Sequence, residues 1–332
     1  MEKRENKMNE NKKKRATGRK IGRIVLIILA VYIGITGVFT VVNQILSRGE
    51  LDGIVPTGQM VEVDGRMMHI RSMGDGEQTV VIMPGIGTPL PTESFAPLMR
   101  ELAIDYTVVI IEYFGTGHSD LTDQPRTNAN FVAEIREALY MGGFEAPFIL
   151  MPHSASGAYA DYFAIRYPDE VTALVLLDTV HTHEHLEGNL SATVSLMQVA
   201  QFIGTPRLLS GFTLNIEGIT EENGFTIEEI SNIRRFLNHD LNATTVNRVR
   251  LYNDTIIEVA ALDFPDSVPV LSIRPTNPNP GSPMTNSANN EAQMLRYNAD
   301  SQLVILEGNH NIHNGNAQAI RELMNKFLAD AE

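Results

Sequence analysis

The chain has 332 residues, an apolar fraction of 43% and a net charge of −14, enough apolar surface to fold one large domain or two ordinary ones. The charge is divided, because residues 1 to 23 hold ten Lys/Arg against three acids and Lys326 is the only lysine after Arg23. An acidic body of this kind offers no basic face to a nucleic-acid backbone, so nucleic-acid binding is excluded.

Next in order comes "IVLIILAVYIGITGVFTVV", Ile24 to Val42, nineteen residues without a charge. A bilayer core needs roughly 20 apolar residues, and this run reaches that length with basic residues abutting one end only. A cleaved signal peptide has a shorter apolar stretch and a small-residue cleavage site, and no such site follows. The expected layout is a basic cytoplasmic segment at 1–23, a transmembrane anchor at 24–45, a linker at 46–60, and the acidic remainder outside the cell membrane. Zero cysteines fit export without disulfides and fit many cytosolic proteins equally well.

From there short apolar runs alternate with amphipathic stretches. Strands are expected at Val61–Val63, Met67–Met73, Thr79–Met83, Thr107–Glu112, Phe148–Met151, Ala173–Leu177, Val268–Ile273 and Leu303–Leu306. Runs such as "TVVIM", "VVIIE" and "ALVLL" are nearly continuous hydrophobes, as parallel strands covered on both faces require. Helices are expected at Phe95–Leu102, Phe131–Met141, Ser156–Arg166 and Ala317–Leu328. This alternation predicts an α/β fold with a mostly parallel sheet and right-handed crossovers. Residues 179–262 hold helical patterns and no strand, which predicts a helical cap inserted between strands six and seven. "RPTNPNPGSPMTNSANN", Arg274 to Asn290, is Pro/Asn-rich and is expected to be irregular.

The stretch "MPHSASGAYA", 151–160, joins the fifth strand to a helix. A sharp turn carrying a nucleophilic serine would read G-x-S-x-G; here Pro152 and Ser156 stand at the glycine positions around Ser154. Ser156 is small enough for the crowded turn. Pro152 is tolerable provided its missing N–H does not belong to the sheet ladder. "VVIMPGIGTP" brings a strand into a second Gly-containing turn, "IIEYFGTGHSD" into a third, and "LVILEGNHNIH" places histidines after the last strand.

These segments and their order resemble the α/β-hydrolase superfamily, in particular its membrane-anchored bacterial serine hydrolases, over residues 61–332. The resemblance implies Ser154 as nucleophile, His310 as general base, and the backbone N–H groups of Ile86 and Ala155 as an oxyanion hole. His313 is the alternative base, His153 and His118 are expected to be structural, and Glu112 is expected to brace loops. The family's acid normally follows strand seven, but no acid lies between that strand and Glu291. Asp178, at the end of strand six, can orient the base and supply charge. Asn277 could take its place with a carbonyl alone.

The expected activity is hydrolysis of a carboxylic ester, or secondarily an amide, through an acyl-serine, with a small-molecule ester or acyl substrate and with no metal or cofactor. The lipid bilayer is the partner expected for the N-terminal helix. Two rivals stand beside this. "HTHEHL" sets His181, His183 and His185 in alternation, a pattern able to converge on Zn²⁺ as a metallohydrolase. The fold could also serve as a catalytically inactive binding protein.

Overall fold

The computed structural model describes residues 2–180, 190–277 and 287–331. Its centre is an eight-stranded sheet: β1 (Gln59–Val63), β2 (Arg66–Met73), β3 (Thr79–Met83), β4 (Thr107–Glu112), β5 (Phe148–Pro152), β6 (Val171–Leu177), β7 (Val270–Pro275) and β8 (Gln302–Leu306). The strand order is β1-β2-β4-β3-β5-β6-β7-β8. β1, β2 and β4 pair antiparallel and all later pairs are parallel.

The continuous apolar runs have the expected cause. Val81, Val109, Leu150 and Leu174 face one core, while Val80, Val108, Ile149 and Ala173 face the other. Helices α4 (Asn128–Met141) and α5 (Gly157–Arg166) cover the first face. On the second lie α3 (Ala96–Leu102), which follows the short α2 (Pro91–Ser94), and the C-terminal α11 (Ala317–Ala331). Successive strand residues therefore bury their side chains on opposite sides, as the pleat dictates.

Between β6 and β7 the described residues form a helical cap of α6 (Leu190–Ile203), α7 (Thr205–Ile216), α8 (Ile227–Phe236) and α9 (Ala243–Ala260). Local chemistry sets two of their starts. Thr226 with Glu229, and Asn242 with Thr245, form capping boxes that satisfy the first free N–H groups of α8 and α9. Leu90, Leu214, Ile219, Phe225, Ile233 and Phe236 form a separate core beneath the cap. The irregular stretch expected over 274–290 is shorter than the composition suggests. β7 extends through Arg274 and Pro275, paired with Ile305 and Leu306, and helix α10 (Ser287–Met294) begins before the Asn residues end.

Ahead of the sheet, α1 (Glu2–Ser47) contains the apolar stretch Lys20–Ser47, long and apolar enough to cross a membrane, whose most apolar window is not buried by the rest of the chain. β1 starts at Gln59, two residues earlier than the sequence pattern suggests, because its pairing with Ile70 and His69 extends past the apolar core of the strand.

Candidate active site

The C-terminal edge of the parallel strands gathers the residues of interest. β5 ends at Pro152, and a single tight turn, Ser154–Ser156, leads into α5. Ser154 has φ +54°, a left-handed conformation that a non-glycine residue keeps only when its surroundings enforce it. The Pro152 substitution is explained by the ladder. β5 pairs with β6 over Phe148–Leu150 and again only at the isolated bridge His153–Leu177, while His153 N–H donates to Met83 O at 2.9 Å. Pro152 occupies the gap, where no N–H is needed.

Ser156 has a use that glycine would not. Its hydroxyl donates to Pro84 O, tying the turn after β5 to the turn after β3. Gly85 in that second turn has no room for a side chain: a Cβ there would lie 2.9 Å from Ser154 Cβ. The close approach brings the turn that precedes Ile86 against the serine, and Ala155 sits in the first turn after Ser154, where an N–H has no preceding helical carbonyl to bond.

His310 lies in the loop after β8. Its Nε2 is 2.9 Å from Ser154 Oγ and its Nδ1 is 2.6 Å from Asp178 Oδ2. An imidazole that donates from Nδ1 to the carboxylate leaves Nε2 free to accept the serine proton. Asp178 directly follows β6, with φ +42°, and is fully buried. Arg274, at the end of β7, donates from Nη1 to Asp178 Oδ1 at 3.2 Å and also to Thr179 O. Asn277 is exposed; its backbone N–H donates to Gly308 O at 3.0 Å.

Two further histidines pack around His310. His153 is buried and its Nε2–H donates to His310 O at 3.0 Å. Burial, helped by the neighbouring imidazoles, holds its pKa well below the usual histidine range. His313 is stacked on Phe95 with ring centroids 4.1 Å apart, and burial lowers its pKa to about 3. Its ring centroid is 4.9 Å from that of His153, whereas Ser154 Oγ is hydrogen-bonded by His310.

Glu112 accepts from Thr92 Oγ1 at 2.6 Å, from His118 N–H at 2.6 Å and from His118 Nδ1 at 3.2 Å, with His69 Nδ1 at 3.0 Å. Its burial opposes ionisation, but these donors outweigh it and bring its pKa down to about 2. His69, Glu112 and His118 are close enough together to hold a metal ion. With the His118 N–H and Nδ1 on Oε2 and the Thr92 N–H and hydroxyl on Oε1, however, the carboxylate is already occupied as a brace between β4, the turn after it and α2. The His181, His183 and His185 cluster lies outside the described residues.

Arg248 is a residue the sequence pattern does not reveal. It reaches from α9 to donate to Pro84 O at 3.3 Å and Ser156 Oγ at 3.1 Å, with its guanidinium 5.0 Å from the Tyr113 ring and 4.9 Å from the Phe131 ring. Nothing in a cap helix marks one arginine as reaching under a turn 92 positions away.

A cavity of about 210 Å³ opens over His310, bounded by Ile86, Phe95, Glu217, Ile219, Leu237 and Asn314. Burial pushes the Glu217 carboxyl up to about 6, opposed by His310.

The fold is matched in known structures. An epoxide hydrolase from Bacillus megaterium superposes with TM-score 0.63 at 17% identity, covering 82% of this chain and all of that one. The enol-lactonase from Burkholderia xenovorans LB400 gives 0.59 at 18% identity, over 82% of this chain and 100% of its own. The chain has the α/β-hydrolase fold. In sequence, the protein YbdG of Bacillus subtilis (strain 168), described as uncharacterized, is 26% identical over 284 residues, 82% of this chain and 85% of that protein. A proline iminopeptidase, PfmaB of Pestalotiopsis fici, is 29% identical over 133 residues, 39% of this chain and 47% of its own. A comparison with protein-family models found no match. A thioesterase domain from a curacin biosynthetic pathway and an esterase from Exiguobacterium antarcticum, each with TM-score 0.57 at 18% identity, are also similar, so these neighbours are hydrolytic enzymes of the same fold.

Proposed function

We propose that this α/β-hydrolase-fold chain is a membrane-anchored serine hydrolase that cleaves a carboxylic ester, with an amide as the alternative substrate class, through an acyl-Ser154 intermediate. The observation that carries the reading is His310 spanning Ser154 and Asp178 at 2.9 and 2.6 Å. In the proposed reaction, the Ser154 hydroxyl attacks the acyl carbonyl while His310 Nε2 takes its proton. Asp178 accepts from Nδ1–H throughout and stabilises the imidazolium that forms. The N–H groups of Ile86 and Ala155 receive the developing oxyanion, each contributing roughly 10²–10³ in rate. His310 then protonates the leaving group, and water, deprotonated by the same imidazole, releases the acid. The esterase, thioesterase and lactonase named among the similar structures fit acyl transfer to a serine.

The same reading divides the chain into a basic cytoplasmic segment, the α1 anchor, a linker and an external hydrolase domain with its cap. The apolar stretch of α1 beside the basic first residues supports this orientation. Kinetics test the chemistry. A p-nitrophenyl ester should give a burst of nitrophenol equal to the enzyme concentration, followed by slower turnover. Ser154→Ala should lose the burst. A variant that keeps full turnover would overturn the mechanism.

A further inference from the structure

The cap carries an apolar surface that the fold leaves uncovered. From Leu190 to Ile216 the chain has a single charged residue, Arg207, in a protein of net charge −14. Val194 and Leu214 face inward, yet Leu196 is 70% exposed and Leu208 and Phe212 are each 68% exposed. Leu208 and Phe212 are four residues apart on α7, and Leu196, Val199 and Phe202 recur every three on α6, so each helix turns one apolar side outward. Contiguous large apolar side chains on an otherwise acidic surface mark a place where something docks.

Their position identifies what docks there. The joint between the two helices, Gly204, is pressed against α1: a Cβ there would lie 2.6 Å from the Asn43 side chain. Asn43 Nδ2 donates to Gln201 O and Phe202 O at 3.3 and 3.2 Å, and Gln44 Nε2 donates to Phe202 O at 2.9 Å. Arg207 then donates to Asn43 Oδ1 at 2.9 Å and grips Glu50 through both carboxylate oxygens at 2.6 and 2.7 Å. Asn43 lies in the last turn of the 24–45 anchor, and the chain stays uncharged through Ser47. The hairpin is therefore pinned against the outer end of the span, with its apolar sides facing away from the protein.

We propose that the α6–α7 hairpin lies in the outer interface of the same bilayer that α1 crosses, so that the cap is a lipid-facing surface and the site draws an amphiphilic acyl substrate from the membrane. This rests on the reading of α1 as a bilayer anchor. Amphipathic helices at this depth bury their apolar face about 5–10 Å into the headgroup and acyl boundary. The route inward is consistent with that. An apolar hollow of about 220 Å³ between Met197, Pro206, Leu209 and Leu241 is also lined by Leu237. Leu237 lines the cavity over His310 as well, so the membrane-side hollow and the reaction cavity share a wall.

The protein contains no tryptophan, so single tryptophans report position without background. Full-length Phe212→Trp, Leu196→Trp, Tyr32→Trp in α1, and Ile104→Trp would each be reconstituted into phosphatidylcholine vesicles that mix lipids brominated near the carboxyl end and near the terminus of the acyl chain, so that interface and bilayer centre both carry quencher. Ile104 is exposed just before β4, at the strand edge opposite the cap. Phe212→Trp and Leu196→Trp should lose fluorescence to the brominated lipid as Tyr32→Trp does, while Ile104→Trp should not. Quenching at Tyr32→Trp, with Phe212→Trp and Leu196→Trp no more affected than Ile104→Trp, would overturn the hairpin placement and leave the anchor standing. Loss of quenching at Tyr32→Trp as well would overturn both.

Discussion

At Asp178 the backbone is held at φ +42° by the bond from its N–H to Ile273 O, and the side chain is held by Arg274 on one oxygen and His310 on the other. A neutral amide at this position would keep the shape but lose the charge and permit the wrong imidazole tautomer. Asp178→Asn should therefore lower kcat by up to about 10⁴-fold with little change in KM. Asn277→Ala should stay within about tenfold, since its side chain is exposed and the cost of removing an exposed polar group is small. Steady-state kinetics on both variants decide this, and a reversed pair of results would transfer the acid's role to Asn277. Ser154 and His310 were legible in the sequence because each follows a recognisable strand. Arg274 was hidden inside a run whose Pro and Asn content reads as irregular. Its bond to Asp178 spans 96 positions, and no local pattern records such a pairing.

At the scale of elements, the alternating strands and helices were legible because covered parallel strands leave continuous apolar runs. The ends of β7 and the start of α10 were not, since long-range pairing sets them rather than propensity. The cap illustrates the same limit. Its helices could be read from their periodicity, but not that α9 sends Arg248 beneath the Pro84 turn to hold Ser156. That arginine couples the cap to the turn that presents Ile86. Arg248→Met keeps much of the apolar stem against Tyr113 and Phe131 while removing the donors. It should reduce kcat by about tenfold or more, as loss of preorganised backbone donors does, with KM less affected. Arg248→Lys should recover part of that rate. Equal kcat in wild type and Arg248→Met would show that the cap does not position the turn.

For the molecule as a whole, buried titratable groups set the pH profile of stability. Burial raises the carboxyl pKa of Glu93 and Asp161 to about 7 and of Glu217 and Asp240 to about 6. Unfolded, such groups titrate near pH 4. The native state thus binds more protons than the unfolded state between about pH 4 and 7, and stability falls as pH rises through that window. His313 and His153 act oppositely. Burial depresses both, so the unfolded state binds more protons below about pH 6.5 and stability falls as pH drops from there. Above that point the imidazole contribution fades and the carboxyl contribution dominates. Thermal midpoints should decline from about pH 6.5 to 7.5 and then level off, and Asp161→Asn, which keeps an acceptor for Tyr297, should flatten part of the decline. A midpoint that climbs steadily across this range would contradict the assignment.

Whether Ser154 is the nucleophile is answered most directly by covalent capture. Full-length protein treated with a fluorophosphonate and digested for mass spectrometry should carry one adduct, on Ser154, and Ser154→Ala should carry none. An adduct on Ser156, or labelling that survives Ser154→Ala, would contradict the account.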